Sequence, residues 1–158
     1  EKVVVWSFYR SSLDRIAQRY SSYGVARIDG SVTSSADRRD AVKSFQEDDE
    51  TMLFLGNPAA AGAGLTLHRS RVAIYESLSN QAAHYLQSHD RIHRRGQNRE
   101  VESLHLLTTD SLERAEYQRL LDKADTQADL LGDVGQDRVT RQMLLEELLT
   151  DRTTSMRP

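Results

Sequence analysis

Val3-Val4-Val5-Trp6-Ser7-Phe8 opens the chain with an apolar run interrupted by a single hydroxyl. Such a run does not alternate between a wet and a dry side, so it reads as a strand buried on both faces, as inside a parallel sheet. The period then changes. Leu13, Ile16, Ala17 and Tyr20 recur at helical spacing, and Ser11-Ser12 is placed to cap that helix with Asp14 as the capping-box partner of Ser11.

The same two periods alternate along the rest of the chain. Val25 to Ile28 reads as a strand closed by the turn signal Asp29-Gly30, and Ser34 with Asp37 opens a helix whose apolar side includes Ala41, Val42 and Phe45. Met52 to Leu55 is another buried strand, followed by the Gly- and Ala-rich stretch Gly56 to Leu67. A strand over Val72 to Tyr75, a helix over Gln81 to Arg94 and a strand over Val101 to Leu107 come next. A long helix is predicted over Ser111 to Leu131, with Tyr117, Leu120, Leu121, Ala124, Ala128 and Leu131 on one face. Gly132 to Gly135 breaks it, Val139 to Leu149 forms a last amphipathic helix, and Thr153 to Pro158 frays.

Strands alternating with helices predict an α/β domain: a doubly wound, mainly parallel sheet with helices on both faces. The expected organisation is one lobe over residues 1–131, then a linker, amphipathic helix and tail over 132–158. Sheets of this kind bind ligands at the carboxyl ends of their strands. Asp29 to Ser31, the Gly-rich stretch and the segment after Tyr75 are expected there.

Composition bounds the function. The 158 residues are 38% hydrophobic and 28% charged, as in a soluble globular domain, and no apolar run is long enough to span a bilayer. Cysteine is absent, which excludes disulfides and thiolate metal sites. The net charge of −3 and pI near 6.0 mean that any nucleic-acid contact must come from a local basic surface. The chain begins without Met and without a secretory signal, and reads as a piece of something longer.

The strongest chemical signal is Gln87-Ser88-His89-Asp90-Arg91-Ile92-His93-Arg94-Arg95-Gly96-Gln97. On a helix Gln87, Arg91 and Arg94 project from one face, while Ala82, Tyr85, Leu86, His89 and Ile92 form a mostly apolar one that can pack on the sheet. Two guanidiniums a turn apart repel unless an anion bridges them, and a triphosphate suits their planar forks.

This run resembles motif VI of the Swi/Snf family of helicase-type ATPases, Gln-x-x-Asp-Arg-x-His-Arg-x-Gly-Gln, at every fixed position. Gly56-Asn57-Pro58-Ala59-Ala60-Ala61-Gly62-Ala63-Gly64-Leu65-Thr66-Leu67 looks like that family's motif V. It departs from the commonest form in having Asn57-Pro58 for a Ser-Thr pair, Ala61 for a Gly and Thr66 for an Asn. Val3 to Phe8 resembles motif IV, and Ile28-Asp29-Gly30-Ser31 with Arg38 and Phe45 resembles the block after it. Val101 to Leu107 and Thr109-Asp110-Ser111-Leu112-Glu113 look like the closing strand and bracing helix. Ser77-Leu78-Ser79-Asn80-Gln81 replaces a Trp-Asn-Pro segment, which suggests a divergent prokaryotic or phage-type member.

The resemblance implies the second RecA-like lobe of an ATP-dependent DNA translocase. Arg91 and Arg94 are then expected as catalytic arginine fingers, with Gly62, Gly64, Gln87, Arg91 and Arg94 meeting ATP. Ser31, Arg38, Asn57 and Thr66 are expected on a DNA-backbone track, with duplex DNA bound without sequence preference. The sequence has no Gly-x-x-x-x-Gly-Lys-Ser/Thr and no Asp-Glu pair to hold magnesium. ATP and Mg2+ would therefore be held mainly by an N-terminal RecA-like lobe of the same polypeptide, and this lobe alone would be inactive. No membrane partner is implied. The setting would be cytoplasmic in a prokaryotic or phage-infected cell, and nuclear in a eukaryote.

Two other readings come from different classes. His89 and His93, four apart on a helix with Asp90 between, could chelate zinc in a hydrolase, though no third ligand is evident and the expected metal set is none. A RecA-like module could also bind DNA without nucleotide chemistry, against which the Gln87-Arg91-Arg94 face argues.

Overall fold

The computed structural model describes residues 1–61, 64–77, 81–93, 97–107, 115 and 117–123. The chain divides into two compact units, Glu1–Leu120 and Leu121–Pro158, and the fold below is that of the first.

Five strands form one all-parallel sheet: β1 (Val3–Trp6), β2 (Val25–Ile28), β3 (Leu53–Gly56), β4 (Val72–Tyr75) and β5 (Glu102–His105), in the order β2-β3-β1-β4-β5. The first strand in the sequence is the central one, paired with β3 on one side and β4 on the other. Val3 lies beside both Leu53 and Val72. Central position explains the apolar stretch Val3–Trp6, because both faces of β1 are covered.

Helices α1 (Arg10–Arg19), α2 (Ser35–Glu47), α3 (Pro58–Ala61) and α4 (Ala82–His89) connect the strands. On one face, Leu13 of α1 packs on Val5 and Leu55, with Val3, Ile16, Ala17, Val25 and Ile74 around them. On the other, Phe45 of α2 meets Phe54 edge-on at 5.5 Å, Trp6 meets Phe54 at 6.2 Å, and Tyr85 of α4 lies 5.2 Å from Tyr75. Burial of each large side chain here contributes roughly 1.5 to 3 kcal/mol. The doubly wound parallel architecture expected from the sequence is the observed one.

Local differences have identifiable causes. Helix α1 starts two residues earlier than a Ser11 cap would place it, with Tyr9 as its N-cap and no side-chain cap bond. Asp14, the expected capping partner, is instead drawn to Arg27 on β2 at 2.6 Å. Ser34 caps α2 as expected, accepting the amides of Ala36 and Asp37. The expected helix from Gln81 to Arg94 is helical only over Ala82–His89, because the chain tightens at Asp90 and continues as turns through His93. Arg94 lies outside the described residues. Of the long helix expected from Ser111, residues 115 and 117–123 are helical; the expected helix over Val139 to Leu149 lies outside the described residues.

Candidate functional site

The carboxyl ends of β1, β2, β3 and β4 form one continuous surface. Asn57, following β3, donates its amide to the carbonyl of Ile28 and its side-chain Nδ2 to that of Phe8. Its Oδ1 accepts the amides of Ala59 and Ala60, so Asn57 with Pro58 starts α3. Ser7, fully buried, lies 2.7 Å from Glu76 Oε2 and accepts the Tyr9 amide, while Ser77 Oγ accepts the Phe8 amide. This network tying β1 to β4 was not visible in the sequence, where Ser7 reads as an interruption of an apolar run.

Ser31 stands exposed after β2, held from below by a carboxylate. Asp29, fully buried, accepts both the Ser31 amide at 2.7 Å and the Ser31 hydroxyl at 2.5 Å on Oδ1, while Arg27 grips Oδ2. Burial alone would raise the Asp29 pKa. The two Ser31 hydrogen bonds and then the Arg27 guanidinium outweigh burial and bring it down to about 2. The Ser31 hydroxyl proton is thus committed to Asp29, leaving its oxygen lone pairs outward. Arg38, half-buried on α2, donates to the carbonyls of Ala60 and Val32 at 2.6 and 3.4 Å.

The Gly-rich stretch begins at this edge and ends at the opposite one. Gly64 has φ +102, a conformation that favours glycine, and a side chain there would meet nothing within 4 Å. Beyond it, the Ser70 hydroxyl donates to the Lys2 carbonyl just before β1. Thr66 therefore sits toward the amino ends of the strands, and Ser31, Arg38 and Asn57 toward the carboxyl ends. Gly62 lies outside the described residues.

Arg91 joins the Thr66 side, because α4 runs back across the sheet. Its carbonyl accepts the amide of the fully buried Leu67 at 2.8 Å. Tyr85, Ser88 and Ile92 are buried, and Leu86 and His89 are half-buried, so the apolar face expected of this helix is the packed one. Gln87 and Arg91 lie off it. Neither the Gln87 carboxamide nor the Arg91 guanidinium bonds to any described residue.

A planar cation held by its backbone with its head group uncommitted suits a phosphate oxygen. Among the described residues no group of three His, Cys, Asp or Glu side chains comes together. His89 and His93 stack on each other at 5.8 Å.

The family described as the helicase conserved C-terminal domain matches residues 1–96. The chain belongs to that family. This helicase C-terminal domain is 29% identical over 146 residues, or 90% of its length, to the zebrafish (Danio rerio) SWI/SNF-related matrix-associated actin-dependent regulator of chromatin subfamily A containing DEAD/H box 1A. It is 35% identical over 108 residues, or 68% of its length, to chromatin-remodeling ATPase INO80 of Aspergillus oryzae. The domain spans 15% and 7% of those two proteins. The crystal structure of the C-terminal part of the Fun30 ATPase domain matches it with a TM-score of 0.70 and 32% identity, over 76% of this domain and 39% of that chain. The helicase C-terminal domain is thus homologous to Swi/Snf-related ATPases, as the motifs implied.

Proposed function

We propose that this chain is the second lobe of an ATP-dependent DNA translocase motor. In that role Gln87, Arg91 and Arg94 present side chains to ATP held by a first lobe, with Gly62 and Gly64 allowing close backbone approach. The observation that carries the reading is Arg91: its carbonyl is built into the fold through Leu67 while its guanidinium bonds to no described residue. Bound ATP with Mg2+ would supply the transferable phosphoryl group. This chain's arginines would offset the charge developing on it, and Gln87 would orient it.

Ser31, Arg38, Asn57 and Thr66 are proposed to contribute to a DNA-backbone track. The first three share the carboxyl edge, where Ser31, braced by Asp29, stands exposed. Thr66, at the other edge, would meet the backbone only if the track crosses the Gly-rich stretch. Contacts of this kind carry no base information, so binding would be independent of sequence and weaken steeply with salt.

The test is ATP hydrolysis by the chain alone and joined to its first lobe, with and without duplex DNA. The chain alone should hydrolyse nothing above background, and the joined protein should be stimulated by DNA. Hydrolysis by the chain alone, or no hydrolysis by the joined protein with DNA, defeats the proposal.

A further inference from the structure

The turn Thr66–Ser70 has its backbone gripped from three directions. Gln46, in the last turn of α2, donates Nε2 to the Thr66 carbonyl at 2.6 Å and accepts the Arg69 amide on Oε1 at 3.1 Å. Gln97 donates Nε2 to the carbonyls of His68 and Ser70 at 3.1 and 2.7 Å. Between these grips, the Leu67 amide donates to the Arg91 carbonyl, and the Leu67 carbonyl accepts the Ser70 amide at 3.1 Å.

Gln46 is the grip that bears on Arg91. Its carboxamide holds one group before Leu67 and one after, a carbonyl and an amide, so it fixes the orientation of the peptide unit that carries the Leu67 N–H. Leu67 is fully buried and Thr66 half-buried, and away from water an amide hydrogen bond is stronger and more costly to misalign. Gln97, by contrast, reaches this turn only at carbonyls beyond Leu67, its Oε1 accepting the Arg99 amide instead.

We infer that Gln46 is a positioning residue for Arg91, acting through the Leu67 peptide to set where the guanidinium leaves the end of α4. The inference rests on the reading of Arg91 as the group that meets ATP. It gives α2 a second role, because Arg38, two turns earlier on the same helix, holds Ala60 near the start of the Gly-rich stretch. One rigid helix thus fixes that stretch at both ends: next to the proposed DNA track and next to Arg91.

The test uses the two-lobe protein with DNA, measuring ATP hydrolysis under single-turnover conditions so that slow variants remain readable. Gln46→Leu keeps the volume and removes both bonds. It should slow the chemical step on the order of tenfold, as small displacements of a catalytic group do, with KM for ATP and DNA affinity unchanged. In an Arg91→Ala background the same change should cost nothing further, because residues acting through one another are not additive. Gln46→Glu, which keeps the Arg69 bond and loses the donor, should give the same pattern and serves if the leucine variant does not fold. An equal slowing in both backgrounds, a change confined to KM, or no slowing at all overturns the inference. A normal rate for Arg91→Ala alone removes the reading beneath it and the inference with it, and is distinguishable from those outcomes.

Discussion

Arg38 sets a guanidinium nitrogen 2.6 Å from the carbonyl of Ala60, so a side chain at the start of α2 closes the far end of α3. A residue whose sequence context points to DNA therefore also has a structural task. Arg38→Ala should destabilise the fold by about 1 to 2 kcal/mol, the range for a charged donor lost from a half-buried site. Arg38→Lys should recover only part, since a point charge cannot span two carbonyls. Urea melts of the three proteins check this; an unchanged midpoint for Arg38→Ala would show that the bond adds nothing to stability.

Arg91→Ala should leave the melting transition almost where it was, because the fold uses the Arg91 carbonyl and not its guanidinium. In the two-lobe protein the same change should lower kcat on the order of a thousandfold, with Arg91→Lys recovering little. Arg94→Ala should behave like Arg91→Ala, and Arg95→Ala should be tolerated. Steady-state hydrolysis with saturating DNA separates these cases, and a dead Arg95 variant beside two active ones would reverse the assignment.

Asp29 makes a prediction about acid. Its pKa is held near 2 against an ordinary 3.8, so the stability it contributes is present above about pH 4 and lost as pH falls toward about 2. The size of that contribution is on the order of 2 kcal/mol. Asp29→Asn should accordingly melt well below the parent protein at pH 7, with the gap narrowing through that acidic window. A gap that stays constant with pH would mean that the carboxylate charge is not what matters.

Gly56 ends β3 directly against the indole of Trp6. A methyl group there would come within 2.4 and 2.8 Å of two ring carbons and 3.2 Å of Phe54. Trp6 is fully buried, so Gly56→Ala should cost about 1 to 3 kcal/mol through overpacking. Trp6 is the single tryptophan, so its emission reports the strain directly. Trp6→Phe should restore part of the loss in the double variant, and purely additive losses would locate the strain elsewhere.

The strands were legible because burial leaves a one-dimensional mark: Val25–Ile28 and Val72–Tyr75 are found as read, and the other three shift by a residue or two at their ends. The start of α2 was legible because a cap is a local bond between Ser34 and amides two and three residues on. Asp14 was misread for the opposite reason, since its partner Arg27 is distant in sequence and close only once β2 is in place. Near the site, the packing of Tyr85, Leu86, His89 and Ile92 was legible from a helical offset, which leaves Gln87 and Arg91 off the packed face. The Leu67–Arg91 bond, the Gln46 grip and the Ser7–Glu76 contact were not, because each joins segments tens of residues apart through a backbone group or a common polar side chain. Asn57-Pro58 did carry a readable signal, an N-cap followed by proline, which the resemblance to a DNA-contacting motif overshadowed.

The strand order has a consequence for how the molecule is made. Val3–Trp6 comes first in chain order among the five strands of this sheet, yet both of its neighbours, Leu53–Gly56 and Val72–Tyr75, come much later in the chain. Closing loops of that length before any pairing is gained makes folding slow relative to a fold of local contacts. A growing chain must carry this apolar segment with both edges open until Gly56 has been added, and with one edge open until Tyr75 has. Early exposure of that one segment, more than any weakness of the finished sheet, is where aggregation would begin.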